Sequence, residues 1–217
     1  MYVGVDEAGR GPVLGSMFIA AVGVSDSEDL PSGVADSKRL SASTRERLAT
    51  QIQESEEIYI GLAEVTVEQI DEPSMSLTDL TIEAVQSSIV QIHHTSQTPL
   101  ECILDAADVN PTRYAGRVSE RLPASISVVA KHKADSTENV VSAASIIAKS
   151  AREAHVETLA EQYGTIGSGY PSDPTTQDFL SRYVEDHGCL PACARTSWKT
   201  SRDAMAALTQ ESITDYS

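Results

Sequence analysis

The sequence predicts an α/β domain built on a mixed sheet flanked by helices. Three observations point there. Two apolar, β-prone runs, residues 2–5 and 14–24, are joined by a Gly-rich connection, as in a hairpin. A third β-rich run follows a helical stretch. After it, short apolar runs alternate with segments of 3.6-residue periodicity, the order expected of strands and helices in layers.

The elements can be justified in order. The first run breaks at Asp6-Glu7-Ala8-Gly9-Arg10-Gly11-Pro12, where two acids and three helix- and strand-breakers crowd together. Ser43 with Glu46 three residues later reads as a capping box, opening a helix whose stripe is Leu48, Ala49 and Ile52. Residues 58–67 read as a strand. Ser76 with Asp79 opens a second helix, with Leu77, Leu80, Ala84, Val85, Ser88, Ile89 and Ile92 on one face. Cys102-Ile103-Leu104 is a short buried strand ending at Asp105. Residues 111–122 read as helix, 125–130 as strand and 140–163 as a long helix. The small residues Ser142, Ala143, Ala144 and Ser145 on its first turns suit close packing of helix on sheet. Gly167, Gly169, Pro171 and Pro174 then mark a rigid loop before a helix over 175–186 and a helical C-terminal stretch.

The 217 residues suffice for one domain with an elaboration, and the mixture of 41% hydrophobic and 22% charged residues is that of a globular chain. The charge is unusual. Asp and Glu number 32 against 16 Lys and Arg, a net charge of −16. Taken alone this argues against nucleic acid and anionic membranes as partners. A carboxylate-dense, Lys-poor surface also suits near-molar salt, where a Debye length of about 3 Å screens the self-repulsion. Three cysteines, Cys102, Cys189 and Cys193, suit free thiols in a reducing cytoplasm. Their spacing, even with His187 nearby, lacks the paired CxxC of a zinc site. No basic leader precedes the first apolar run, so we expect no signal peptide, no membrane span and a cytoplasmic protein.

The chemistry is expected where acids meet strand ends. Asp6 and Glu7 follow the first strand, Asp105 ends a later one, and Asp135 lies between the last strand and the long helix. In open α/β sheets the sites gather at such ends. Carboxylates converging there require neutralisation, and hard oxygen ligands select Mg²⁺ or Mn²⁺. Two such ions about 4 Å apart would suit displacement at phosphorus. With 32 acids in the chain, any single one could as easily be a solvated surface group.

The surroundings are more specific. Val3-Gly4-Val5-Asp6-Glu7-Ala8-Gly9-Arg10-Gly11-Pro12 resembles the N-terminal signature of type 2 ribonuclease H, of an archaeal kind and from a high-salt cytoplasm. Asp36-Ser37-Lys38-Arg39-Leu40, Asp105-Ala106-Ala107-Asp108-Val109-Asn110-Pro111, and Lys133-Ala134-Asp135 with the Val141-Ser142-Ala143-Ala144-Ser145 helix start resemble its further motifs. So do Gly167-Ser168-Gly169-Tyr170-Pro171 and Arg195-Thr196-Ser197-Trp198. The matches run in order from residue 3 to residue 199. The resemblance implies a ribonuclease H-like fold with a five-stranded mixed sheet and a C-terminal helical extension. Residues 1–163 would form the catalytic core, 164–209 the extension packed on it, and 210–217 a tail.

The resemblance also implies roles. Asp6, Glu7, Asp105 and Asp135 would be the catalytic acids and would hold two divalent ions, Mg²⁺ or Mn²⁺. One ion would activate the attacking water and the other would stabilise the departing 3′-oxygen. Asp108 is not one of the four and reads as a structural or outer group. The implied activity is endonucleolytic cleavage of RNA in RNA–DNA hybrids, and incision 5′ to ribonucleotides embedded in duplex DNA, leaving 5′-phosphate and 3′-hydroxyl ends. A repair or replication role and a monomeric state go with it.

For substrate binding, Gly9, Arg10 and Gly11 allow close backbone approach, through which a 2′-hydroxyl can be read. As a bare pattern this triplet is more often just a turn. Tyr170 could stack on a sugar or base, or simply pack on its neighbours. Lys38 and Lys149 could contact phosphate or instead neutralise nearby acids. His132, between two lysines, could do the former or stay exposed. A non-cleaving hybrid-binding protein on the same fold is the alternative reading, disfavoured by the presence of all four acids. An ATP-dependent kinase would want a GxxxxGK loop, which is missing. The tail residues Gln210, Ile213 and Tyr216 resemble a sliding-clamp-binding peptide, with Ser217 where a second aromatic should stand. A frayed polar tail would look much the same.

Overall fold

The computed structural model describes residues 1–35 and 40–214, the last six of these as backbone only. They fall into two compact units. The first comprises residues 1–8, 17–65 and 76–152; the second, residues 9–16, 66–75 and 153–217.

The first unit holds a five-stranded sheet of order β3-β2-β1-β4-β5. Its strands are β1 (Tyr2–Ala8), β2 (Met17–Val24), β3 (Tyr59–Val65), β4 (Leu100–Asp105) and β5 (Ile126–Lys131). β1 runs antiparallel to β2, which runs antiparallel to β3, while β1, β4 and β5 are parallel. The expected hairpin pair is present, but β1 does not break at Asp6. Its pairing continues through Asp6, Glu7 and Ala8 opposite Ala20, Ile19 and Phe18. The ladder supplies the hydrogen bonds, so two acids at the strand end are carried within the sheet rather than in a loop.

The helices follow local capping chemistry. Helix α1 (Ala42–Gln53) is capped by Ser41, whose hydroxyl accepts the Thr44 N–H at 3.2 Å, so the cap is two residues earlier than Ser43. Helix α3 (Leu77–Ser96) starts as expected, with Ser76 and Asp79 bonding each other's backbone N–H. A short helix, α2 (Val67–Asp71), has a Thr66–Gln69 capping box that the sequence reading passed over. Helix α4 (Pro111–Ser119) begins with Pro at its first turn and Asn110 as cap. Helix α5 (Asn139–Tyr163) is the long one. On the edge strand β3, the Gln91 amide bonds both the N–H and the C=O of Leu62, at 3.2 and 3.0 Å. That occupies backbone groups which would otherwise invite strand addition.

The core of this unit lies between the sheet, α1 and the first turns of α5, and includes Ala20, Val22, Leu48, Ile52, Val141, Ala144 and Ile147. β1 and α5 pack in backbone-to-backbone contact. A Cβ on Gly4 would lie 2.2 Å from the Val140 carbonyl carbon. Ser142, Ala143, Ala144 and Ser145 are essentially inaccessible, as the small residues led us to expect. The opposite face carries α3, and there Gly61 meets the Ser88 backbone just as closely.

The second unit has its own apolar cluster, with Val13, Leu14, Leu159, Ile166, Phe179 and Leu180 among its members. Helices α6 (Pro174–His187) and α7 (Lys199–Thr214) belong to it. Among the described residues, no helix is long and apolar enough to cross a membrane.

Two glycine substitutions should separate packing from propensity. Gly4→Ala drives a methyl group into the α5 backbone and should cost about 3 kcal/mol. Gly116→Ala, on the exposed face of α4 with open space around it, should instead stabilise by about 0.5–1 kcal/mol. Urea unfolding of both variants checks the pair.

Candidate active site

Strand alternation sets the side of the sheet on which the acids appear. Gly4 and Ala8 face α5, so Asp6 between them does too. On β4, Ile103 packs into the same core, which puts Asp105 two residues on at the same face. Asp135 sits in a 3-10 turn, residues 134–136, which leads into α5. The turn is introduced by Lys133, held at a left-handed φ of 57°. Asp105 fastens the turn by accepting the Ala134 N–H at 2.9 Å, and the Ser142 hydroxyl bonds the Asp135 carbonyl.

As a result, carboxylate oxygens of Asp6, Asp105 and Asp135 all lie within 4.8 Å of one another. Asp6 and Asp135 are buried, and Asp105 is half-buried. Burial pushes the Asp6 carboxyl up to about 6. The buried Ser145 hydroxyl opposes this without reaching full hydrogen-bond geometry. The Glu7 N–H, donating at 2.8 Å, also favours the ionised form, the charge of Asp105 works against it, and that of Lys149 works for it. The Lys149 charge is the weakest of these influences.

Such a set suits a hard cation. It offers oxygen atoms only, close enough to share one ion, and an ion would counter both the burial and the Asp105 charge that raise Asp6. Glu7 is half-buried and is not in the group of three; its side chain starts from the opposite face of β1. Asp108 belongs elsewhere. It takes both contacts of the Arg113 guanidinium, at 2.6 and 2.8 Å, and caps the loop by accepting the Asn110 N–H. His132 is exposed, and the neighbouring Lys131 pairs with Glu138.

Of the expected substrate residues, Gly9, Arg10, Gly11 and Tyr170 lie in the second unit and Lys149 in the first. Gly9 has a φ of 89°, accessible to glycine at little cost. A Cβ on Gly11 would lie 3.7 Å from the ring of Tyr170, so triplet and tyrosine are neighbours. The Gly169 carbonyl accepts the N–H groups of Val13 and Leu14. Asp173 and Thr176 in turn bond the Ser168 and Gly169 N–H groups. Tyr170 is 40% exposed on this braced loop. Lys38 lies outside the described residues, as does Tyr216. Gln210 and Ile213 fall on the backbone of α7. Cys102 and Cys193 are buried free thiols, pushed up to about 12 and about 11 by burial, and Cys189 is exposed.

The sequence reading missed what holds the triplet. Arg195 is completely buried and bonds three backbone carbonyls of residues 9–15. Asp71 accepts four hydrogen bonds from the N–H and hydroxyl groups of Thr196 and Ser197. Neither burial nor partners of these polar residues leave a periodic trace in the sequence.

The sequence profile of ribonuclease HII matches residues 3–201. The chain belongs to the ribonuclease HII family. Ribonuclease HII of Haloarcula marismortui is 48% identical over 216 residues, covering the whole of both chains. Two solved structures are similar at 36% identity. Ribonuclease H2 from Pyrococcus horikoshii gives a TM-score of 0.83, over 96% of this chain and 99% of that one. Ribonuclease HII in a complex with PCNA, from Archaeoglobus fulgidus, gives 0.82 over 94% and 96%. The expected ribonuclease H-like fold is therefore present, and the activity class of ribonuclease HII, hydrolytic endoribonuclease, comes with the family.

The raised Asp6 carboxyl has a consequence for metal-free protein. The native state holds a proton that the unfolded chain loses near pH 4. Stability therefore falls as pH rises from about 4 through about 6, by on the order of 1–3 kcal/mol. Asp6→Asn should flatten that slope and raise the metal-free melting temperature at pH 7. Thermal melts from pH 4 to 8 in chelator check this, and repeats with Mn²⁺ should show its stabilising effect weaken below pH 6.

Proposed function

We propose that this chain cuts the RNA strand of RNA–DNA hybrids and incises duplex DNA 5′ to embedded ribonucleotides, using two divalent cations. The observation that carries the reading is the convergence of Asp6, Asp105 and Asp135 at the end of parallel strands, in a chain of the ribonuclease HII family. Asp6, Asp105 and Asp135 would hold the cations. Glu7 joins the set on the strength of the family motif. When bound, Mg²⁺ or Mn²⁺ supplies a water nucleophile at neutral pH and charge stabilisation at the departing 3′-oxygen. The protein's part is to hold the carboxylates in place. The Glu7 N–H and the Ala134 N–H fix one oxygen each of Asp6 and Asp105, and the Lys149 charge adds a small pull toward the ionised form of Asp6. Gly9-Arg10-Gly11 would read the ribose 2′-hydroxyl, and Tyr170 would stack on the sugar or base beside it.

The test is incubation of the chain with a duplex carrying one ribonucleotide and with a long hybrid, in Mg²⁺, in Mn²⁺ and in chelator. Cleavage in either metal, none in chelator, and 5′-phosphate with 3′-hydroxyl ends are expected. Asp105→Asn should lower kcat/KM by roughly a thousandfold, the worth of several kcal/mol of transition-state charge stabilisation. Binding of both substrates without cleavage in any metal would favour the hybrid-binding alternative.

We also propose that residues 210–217 dock on a sliding clamp, in keeping with the Archaeoglobus fulgidus relative whose structure is a complex with PCNA. Gln210, Ile213 and Tyr216 would present the contacts, and the missing second aromatic should make the contact weak. A chain ending at Thr209 should lose clamp binding in a titration and keep full cleavage of a short duplex.

A further inference from the structure

The segment 195–198 contacts residues 9–11 through every carbonyl the triplet has. Arg195 Nη2 donates to the Gly9 oxygen at 2.6 Å, and Arg195 Nη1 donates to the Arg10 oxygen at 3.1 Å. Trp198 Nε1 donates to the Gly11 oxygen at 3.1 Å. Arg195 Nε reaches further along the same loop, to the Gly15 oxygen at 2.9 Å. The guanidinium also lies 4.8 Å above the Trp198 ring, so the two donors brace each other. Asp71 in turn pins Thr196 and Ser197 between them, with distances of 2.5–3.0 Å.

The geometry of the peptide bond turns this into a statement about direction. In a trans peptide the C=O of one residue and the N–H of the next point opposite ways. The Gly9 and Arg10 carbonyls face Arg195, so the N–H groups of Arg10 and Gly11 are turned to the other side. Pro12, next in line, has no N–H. Three consecutive carbonyls held on one side leave two consecutive N–H groups aimed together on the other, an arrangement that suits an electron-rich oxygen.

We propose that Arg195 and Trp198 are positioning residues for ribose recognition: by holding the carbonyls of Gly9, Arg10 and Gly11 from behind, they aim the Arg10 and Gly11 N–H groups at the sugar 2′-oxygen. This rests on the reading of residues 9–11 as the ribose sensor. It assigns the late Arg/Trp motif to substrate selectivity rather than to the metal chemistry. Arg195 turns the two N–H groups, and Trp198 anchors the last peptide of the triplet, so the loop that carries them is held at its far end. A phenylalanine in place of Trp198 keeps a ring beneath the guanidinium and removes only the N–H that holds Gly11.

The experiment compares wild type, Trp198→Phe and Arg195→Lys. Three quantities are read: binding of a one-ribonucleotide duplex relative to an all-DNA duplex of the same sequence, kcat and KM on the first, and the melting-temperature shift on adding Mn²⁺. Trp198→Phe should shrink the binding ratio and kcat/KM about three- to tenfold, the effect of one neutral hydrogen bond. Affinity for all-DNA duplex and the Mn²⁺ shift should stay at wild-type values. Arg195→Lys replaces a planar fork by a point charge and should lose more; should it fail to fold, Trp198→Phe carries the test. A folded Trp198→Phe whose ratio stays within twofold of wild type would overturn the positioning role. A wild-type chain that does not distinguish the two duplexes would instead overturn the ribose-sensing reading beneath it.

Discussion

Three carboxylates with oxygens inside 4.8 Å are the constraint on which the first unit is built. Like charges that close, two of them buried, repel strongly unless each is held and a counter-charge is near. The parallel pairing of β1 with β4 brings Asp6 and Asp105 to neighbouring strand ends, and the 3-10 turn before α5 adds Asp135. For that turn to reach the acids, α5 must lie against β1 with nothing between. Gly4 and the run Ser142-Ala143-Ala144-Ser145 make the approach possible. The glycine in the strand and the small residues on the helix are thus what lets the three acids meet.

The second unit solves a different problem with the same economy of means. The Gly-rich backbone of residues 9–15 is held in one conformation by groups far along the chain. Arg195 and Trp198 supply the missing anchors, and Asp71 anchors them. Burying a guanidinium is costly unless its donors find acceptors, and here Nε, Nη1 and Nη2 each meet a backbone carbonyl. The cost of desolvating the charge is offset by hydrogen bonds that also rigidify the loop.

The acidic surface takes on a clearer meaning against these interiors. Arg113, Arg117 and Arg121 recur along α4 and its C-terminal end, and each meets an acid, in Asp108, Asp79 and Glu83. Exposed pairs of this kind contribute little stability singly, but they place basic side chains among acidic ones rather than in a continuous positive track. With a net charge of −16, counterion release is a weak source of affinity for nucleic acid, and it weakens further as salt rises.

By itself the sequence determined the element types, the mixed character of the sheet and the positions at which acids meet strands. Those follow from local rules: periodicity for α3, capping residues at Ser76 and Asp79, and breakers around Gly9. Where two local signals competed, the local reading slipped. Ser41 rather than Ser43 caps α1, and β1 runs on through Asp6 and Glu7 because β2 and its ladder continue beside it. Only the tertiary structure decided which acids share a face and that Arg195 is buried with its donors satisfied. Each of these depends on contacts between residues roughly 30 to 190 positions apart, and the energy of a contact leaves no periodic mark on either segment that makes it.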